Sequence, residues 1–543
     1  MASDDPRSAR SARRDARAEA AAAFLGEFRF PERSAPPDSV VAHLGPTNSG
    51  KSHDALALLA EVGAGVYAAP LRLLAREGFD KLRAALPEGK VGLLTGEERI
   101  NPGADVVCCT TELAPLRGRV LVLDEVHWAD DRDRGWAWGR LLAAASYRHI
   151  RLVGATNVEP LLRAAYGDQL EVRQHRRLVP LTWGGTVELA TVPTGSLVVA
   201  FSRKAVLALG RDVADRSGLR TGVLYGALPP GARRHEIERF LVGELDVLCV
   251  TDVIGHGINL PARTVVMAET SKYDGQRRRP LHLWELAQIV GRAGRYGLAE
   301  SGDARVLRGV PGLDANASLV RQAVEAADGS RAAGASLRTA YVRPTLADLG
   351  ATTGAELRAV IEWWQDQAAE ALSGHPWLRA GPLDHVADAL AALARAGLLA
   401  QLGVDELWRL ATLPVEDPAW IVEVAQAVAE PHRQLRPAPR PDPAGWSLED
   451  AERVAARSRG LASLANAFPG VGGLDRDDLL ATEEAAAKRI TSVLAHEVAS
   501  NRFGTCSSCG RPCPPYAVTC QRCSGHQRLP RPKRGGRGPG RRR

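Results

Sequence analysis

The stretch GPTNSGKS, Gly45 to Ser52, limits what this 543-residue chain can fold into more than any other. It matches G-x-x-x-x-G-K-[ST] in full, follows the apolar run VVAHL, and opens SHDALALLA, whose apolar positions fall at helical spacing. Strand, glycine loop and helix in that order give the motif its meaning. The glycines let backbone N–H groups turn inward around phosphate oxygens, and the helix N-terminus adds its positive dipole. Gly45, Thr47, Asn48, Ser49 and Gly50 are then the phosphate cradle, with Lys51 reaching the β- and γ-phosphates and Ser52 ligating Mg²⁺.

The surrounding pattern extends this unit. Short apolar runs (VVAHLG, GVYAAP, VGLLTG, DVVCCTT, VLVLDE, IRLVGAT) alternate with amphipathic stretches and predict a mostly parallel sheet with helices on both faces. The alternation restarts after Pro180 with GSLVVAFS, RTGVLYG, LDVLCVTD and ARTVVMAE, so two α/β units in tandem are expected. From about Leu346 the β-type runs give way to helical patterning, in which Leu357, Val360, Ile361, Trp364, Ala368 and Leu372 form one apolar stripe. SLED at 447–450 has the form of a capping box opening a further helical hairpin.

A phosphate loop needs a carboxylate on a neighbouring strand to hold Mg²⁺. Asp124 stands at the end of VLVL, with Glu125 beside it to orient or deprotonate an attacking water. LDE alone is more often a solvated strand end; the upstream loop tips the reading to catalysis. The polar run ADDRDR (129–134) reads as a solvated loop, and Trp136 and Trp138 as packing for the next helix. Phosphoryl transfer also needs cations on the phosphates, often from a facing domain. In QIVGRAGRYG, Gln288, Arg292 and Arg295 recur at helical spacing and are expected on one helix face, with Gly291 and Gly294 allowing close approach.

The order of segments carries a resemblance. GPTNSGKS, APLRLLARE, TGEE, CTTEL, DEVH, GAT, AFSRKA, TDVIGHGINL and QIVGRAGR follow one another as in the superfamily 2 DExH helicases. LLTGEERI, RGWAW and YGALPPG narrow the likeness to the Suv3-type RNA helicases, the family that supplies the helicase of the mitochondrial degradosome and has bacterial members, among which this chain is placed. His127 departs from the family's more usual Gln, and GATN from its third motif. The resemblance implies an α/β fold of two tandem RecA-like P-loop domains, an α-helical C-terminal region and, from the cysteines below, a small zinc ribbon. It implies an ATP site of Lys51, Ser52, Asp124, Glu125, Gln288, Arg292 and Arg295, with Asp252 and Gly257 near the nucleotide and His127 relaying its state to the second domain. Arg72, Thr95, Gly96, Thr111, Ser202 and Thr251 are implied to line a single-strand path through phosphate and sugar contacts; for Thr95 and Thr111 a turn-capping role fits as well.

Five of the eight cysteines fall between Cys506 and Cys523. Cys506/Cys509 and Cys520/Cys523 are two C-x-x-C knuckles that suit structural Zn²⁺ in a reducing compartment, with Cys513 spare; a redox pair is the alternative. Cys108, Cys109 and Cys249 sit in strand-like runs as small buried residues. The segment Arg528–Arg543 carries eight positive charges and no acid, which accounts for the whole net charge of +7 and suits a polyanion.

The expected organisation is an N-terminal extension, loose or helical (1–35), first domain (36–178), second domain (179–345), helical region (346–500), zinc ribbon (501–527) and basic disordered tail (528–543). No apolar run of about 18 residues is present, so no membrane partner is expected, and the acidic residues near the N-terminus argue against a transit peptide and for a cytoplasmic protein. The expected function is an ATP-dependent RNA helicase moving 3′ to 5′ in RNA turnover. An exonuclease or another protein would dock through the C-terminal region. The rivals are a helicase acting on DNA or RNA/DNA hybrids in repair, and a nucleic-acid scaffold whose ATPase only switches its grip.

Overall fold

The computed structural model describes residues 32–499 apart from 97, 252–259, 261, 274–276, 295–299, 311, 332–333, 414–417, 431–444, 469–470 and 472–474, together with 504–505 and 512–513. In the first α/β unit, strands β1 (Ser39–Leu44), β2 (Gly65–Ala69), β3 (Val91–Leu94), β4 (Arg99–Ile100), β5 (Val106–Thr110), β6 (Arg117–Leu123), β7 (Ser146–Gly154) and β8 (Leu170–Gln174) form one sheet in the order β4-β3-β5-β2-β6-β7-β1-β8. All neighbours are parallel except β3 and β4. Helices α1 (Lys51–Val62), α2 (Arg72–Ala85), α3 (Trp136–Ala144) and α4 (Glu159–Tyr166) cover its faces. The apolar runs are continuous because both faces are covered: Val120 to Leu123 of β6 are wholly buried, the even members against α1 and α2 and the odd against α3 and α4.

The second unit repeats the plan with β9 (Leu181–Val187), β10 (Ser196–Val199), α5 (Arg203–Ser217), β11 (Thr221–Leu224), α6 (Pro230–Leu241), β12 (Val247–Val250) and β13 (Thr264–Met267). The hairpin β14 (Ser271–Tyr273)/β15 (Arg278–Pro280), α7 (Leu283–Val290), β16 (Gly302–Leu307) and α8 (Ala317–Asp328) follow. Its sheet is parallel throughout, in the order β11-β12-β10-β13-β16-β9.

Beyond these units a short strand β17 (Ala340–Val342) precedes α9 (Leu346–Leu349) and α10 (Gly354–Ala371). Among the described residues of 346–500 one β element does occur. β18 (Leu378–Ala380) lies parallel to β17, too short a run to stand out from helical patterning. Helices α11 (Asp384–Arg395), α12 (Val404–Ala411), α13 (Pro418–Ala429), α14 (Leu448–Ala467) and α15 (Arg476–Ala499) complete this part. Ser447 Oγ accepts from Asp450 N at 3.1 Å and Ser447 N donates to Asp450 Oδ2 at 3.4 Å, closing the capping box that starts α14.

These helices divide between the two sheets. The α10 stripe Leu357, Ile361 and Trp364 packs into the same core as Leu44 and Leu123 of the first unit, whereas Ala455 of α14 and Ile490 of α15 join the core of the second. Leu461 of α14 and Leu479 of α15 also join the first core, so these two helices tie the units together. β19 (Gly504–Thr505) and β20 (Pro512–Cys513) pair antiparallel; Cys506, Cys509, Cys520 and Cys523, like most of 1–35 and all of 528–543, lie outside the described residues. Among the described residues no helix is long and apolar enough to cross a membrane.

Candidate active site at the domain cleft

The phosphate loop joins the end of β1 to the start of α1. Asn48 (φ 60°) and Gly50 (φ 80°) take left-handed backbone conformations that glycine adopts freely and asparagine tolerates. A Cβ on Gly45 would stand 2.4 Å from the His175 carbonyl oxygen, so only glycine lets the two segments touch there. Lys51 is buried, and its Nζ donates to the Pro46 carbonyl at 2.9 Å. Burial holds its pKa below the ordinary lysine value, against the upward pull of Glu125 and Asp124.

Asp124 follows directly on β6 and is 3% exposed. Its Oδ2 accepts from the Tyr67 hydroxyl at 2.7 Å and lies 3.3 Å from Ser52 Oγ; its Oδ1 accepts from Glu125 N at 2.8 Å. Burial and the neighbouring Glu125 push the Asp124 carboxyl above the usual carboxylate range. Trp138, wholly buried on α3, donates its indole N–H to the Asp124 carbonyl at 3.0 Å and stacks on Trp128. It is thus tied to the acidic loop as well as packed in its helix. Glu125 sits at φ 49°, ψ 53°, a left-handed conformation that costs a non-glycine residue on the order of 1–3 kcal/mol. That turn sends the chain from β6 into the 3₁₀ segment Val126–Asp130. Asp130 is exposed, as expected of ADDRDR, and pairs there with Arg379 of β18.

The second unit meets this loop closely. Gln288 Nε2 donates to His127 Nε2 at 2.8 Å, which puts the imidazole proton on Nδ1, facing Glu125 Oε2 at 3.4 Å. Gln288 and Arg292 do not share a helix face, contrary to the helical spacing. α7 ends at Val290, Gly291 caps it, and the chain turns through Arg292 to Gly294 (φ 70°), whose N–H bonds to Ala262 O at 2.8 Å. Arg292 lies in that turn, close enough to Lys51 to disfavour its charge. A Cβ on Gly291 would stand 2.0 Å from Thr47 Oγ1, so the glycine is what permits the approach. Asn48 Nδ2 donates to Gly291 O at 3.1 Å, while Ser49 Oγ is buried behind the loop. The pocket between the units is lined by Gly45, Thr47, Lys51, Glu125 and His127 on one side and Trp284, Ala287 and Gln288 on the other. Arg295, Asp252 and Gly257 lie outside the described residues.

The residues expected along a single strand are placed less uniformly. Arg72 opens α2, and a Cβ on Gly96 would lie 3.2 Å from its guanidinium. Thr95 is buried, with Oγ1 accepting from Glu98 N at 2.9 Å, which is the turn-capping role. Thr111 and Thr251 are also buried, and Ser202 Oγ caps α5 by accepting from Ala205 N at 3.1 Å. The sequence reading missed two arginines here. Arg233 of α6 and Arg459 of α14 converge on Arg72, and burial first, then like charge, lowers the pKa of both Arg72 and Arg233, with Glu483 and Glu112 opposing it at Arg72.

Behind the phosphate loop, buried His43 of β1 pairs through Nδ1 with His175 Nε2 at 3.0 Å. Burial, then His175, Arg173 and Arg151, hold His43 near 4, below the ordinary 6.5; Asp54 pulls the other way. The folded state thus keeps His43 neutral while the unfolded chain takes up a proton near 6.5. His43 detracts nothing above that pH, and stability is lost progressively as pH falls from about 6.5 towards 4. Urea denaturation at pH 7.5 and 5 should show His43→Asn losing less stability between the two pH values than the parent; equal losses would assign the acid sensitivity elsewhere.

Two domain families match the chain: the DEXQ-box helicase domain of Suv3 over residues 28–175 and the helicase conserved C-terminal domain over 187–297. His127 stands where the first family's name places Gln. Among curated proteins, the chain is 36% identical over 285 residues to the mitochondrial ATP-dependent RNA helicase SUV3 of Saccharomyces cerevisiae, covering 49% of this chain and 38% of that one. It is 39% identical over 269 residues to SUV3L, a mitochondrial ATP-dependent RNA helicase of Oryza sativa (48% and 36% covered), and 33% identical over 287 to the human mitochondrial ATP-dependent RNA helicase SUPV3L1 (49% and 36%). The similarity spans little more than a third of these relatives' length. Through these two domains, which meet at the cleft just described, this part of the chain is similar to the Suv3-type helicases.

Proposed function

We propose that the protein is an ATP-dependent RNA helicase that translocates 3′ to 5′ along a single strand, acts in RNA turnover, and binds ATP in the cleft between its two α/β units. The observation that carries this reading is the Gln288–His127 bond, which joins the second unit to the acidic loop of the first beside Lys51. In this reading Gly45 to Gly50 cradle the phosphates and Lys51 neutralises the β- and γ-oxygens. Ser52 Oγ and Asp124, 3.3 Å apart, offer the hard oxygen ligands that Mg²⁺ takes, and the ion when bound draws charge off the phosphate oxygens. Glu125 orients the attacking water and accepts its proton, and Arg292 and Arg295 stabilise the charge on the transferring group.

Arg72, Arg233 and Arg459 come from three different parts of the chain, and their convergence suits a phosphodiester backbone passing under the helical region. Cys506, Cys509, Cys520 and Cys523 would hold structural Zn²⁺ by their spacing, next to a basic tail that adds non-specific attraction to nucleic acid.

Strand displacement on matched RNA, DNA and hybrid duplexes with either overhang tests the whole reading. ATP-dependent release from RNA with a 3′ overhang is the expected result. Release from DNA alone would make the protein a DNA helicase, and ATP turnover without release on any duplex would leave an ATP-switched scaffold.

A further inference from the structure

The segment between β8 and β9 runs along the outer side of the phosphate loop rather than away from it. His175 N donates to Leu44 O at 2.7 Å and Leu178 N to Asn48 O at 3.0 Å. Between them Arg177 bonds to main-chain carbonyls of both units. Its Nη1 donates to Thr47 O in the phosphate loop at 3.0 Å and to Gly291 O at 2.9 Å. Its Nη2 donates to Ala293 O and, at 3.3 Å, to Gly294 O. Nε donates to Val179 O at 2.7 Å, in the segment itself.

The carbonyls of Gly291, Ala293 and Gly294 belong to the turn that follows the C-terminus of α7, where a cation is also favoured by the helix dipole. Arg177 therefore ties down that turn rather than the helix itself. The turn is the one that carries Arg292. A planar guanidinium with five N–H donors serves both sets of carbonyls at once, which an ammonium on a flexible stem does not. Burial lowers its pKa to about 10, so it stays charged at neutral pH.

We propose that Arg177 is a positioning residue that couples the conformation of the phosphate loop to the placement of Arg292 across the cleft. A shift of the loop at Thr47 moves one end of the guanidinium, and the turn at Gly291–Gly294 follows the other. This inference rests on the proposed ATP site and adds a route by which its occupancy reaches the second unit.

The test uses the full-length chain and compares Arg177→Ala and Arg177→Lys with the parent, each also combined with Arg292→Ala. Basal and RNA-stimulated ATPase, KM for ATP and the melting temperature are read for all. The expected result is a kcat lowered by roughly tenfold to a hundredfold, the scale of a small misplacement at a reacting centre. KM should change little, the ratio of stimulated to basal rate should fall, and Lys should fail to rescue. On the Arg292→Ala background, Arg177→Ala should add almost nothing, because both changes remove the same function. Multiplicative losses in the double variant would overturn the inference, as would a lowered melting temperature with kcat per folded molecule and the stimulation ratio unchanged. Arg177→Lys carries the test if the alanine variant does not fold. A parent chain without ATPase would instead sink the ATP-site reading, and this inference with it.

Discussion

Glu125→Gln is expected to lower RNA-stimulated ATP turnover by roughly 10²- to 10⁴-fold, the range for losing a positioned general base, while ATP still binds. The substitution keeps shape and one acceptor oxygen but removes the carboxylate that takes the proton. Its position makes the test clean: Glu125 lies in a left-handed turn beside Asp124, whose contacts to Ser52 and Tyr67 do not involve the Glu125 side chain. Lys51→Ala should act on binding itself. Lys51 is a buried cation next to Asp124 and Glu125, so its loss removes a positive charge that offsets both carboxylates as phosphate enters. Steady-state ATPase with and without RNA, together with titration of a fluorescent ATP analogue, separates the two. The site assignment fails if Glu125→Gln turns over like the parent in a preparation free of other ATPases, or if Lys51→Ala binds the analogue normally.

The parts of this site that were legible in sequence are those whose chemistry is local. Gly45 to Ser52 announces its loop because glycine, lysine and serine are needed at fixed offsets between one strand and one helix. Leu121 to Leu123 announce a strand covered on both faces, and Asp124 and Glu125 follow from standing at its end. The stripe on α10 was legible as a stripe, but its periodicity does not say which core it joins; that it shares one core with Leu44 and Leu123 is a property of the fold. Gln288 and Arg292 were found by type and misplaced in geometry, because two glycines that permit close approach also end the helix.

What stayed hidden are residues whose partners are main-chain carbonyls or distant carboxylates. Tyr67 lies 57 positions from the Asp124 it bonds, on a strand otherwise apolar and small. Arg177 looks like one of three basic residues in QHRRL, and four of its five carbonyl partners lie more than 100 positions away. No spacing rule marks such a pair. The hydroxyls of Thr95 and Ser202 illustrate the opposite error: residue types suited to phosphate contact are equally suited to capping, and both side chains cap here.

Trp138→Phe is expected to uncouple the acidic loop from its support without dismantling the first unit. The indole is wholly buried on α3, and its N–H meets the Asp124 carbonyl at 3.0 Å. Phe keeps most of the apolar volume and leaves that carbonyl without its buried donor, an imbalance that costs about 1–3 kcal/mol. Trp138→Ala adds a cavity and should cost about 3–5 kcal/mol, a large fraction of an ordinary domain's stability. The two variants separate packing from positioning. If Trp138 only fills space, Phe should retain kcat per folded molecule, and only Ala should suffer, in proportion to its loss of fold. If the indole N–H holds Asp124 and the strained turn at Glu125 in register, kcat falls in Phe as well, because a carboxylate displaced by an ångström no longer meets Ser52 across 3.3 Å. Urea denaturation monitored by tryptophan fluorescence, paired with RNA-stimulated ATPase at equal folded protein, reads both quantities. An unchanged kcat in a stably folded Trp138→Phe would return Trp138 to the role of helix packing.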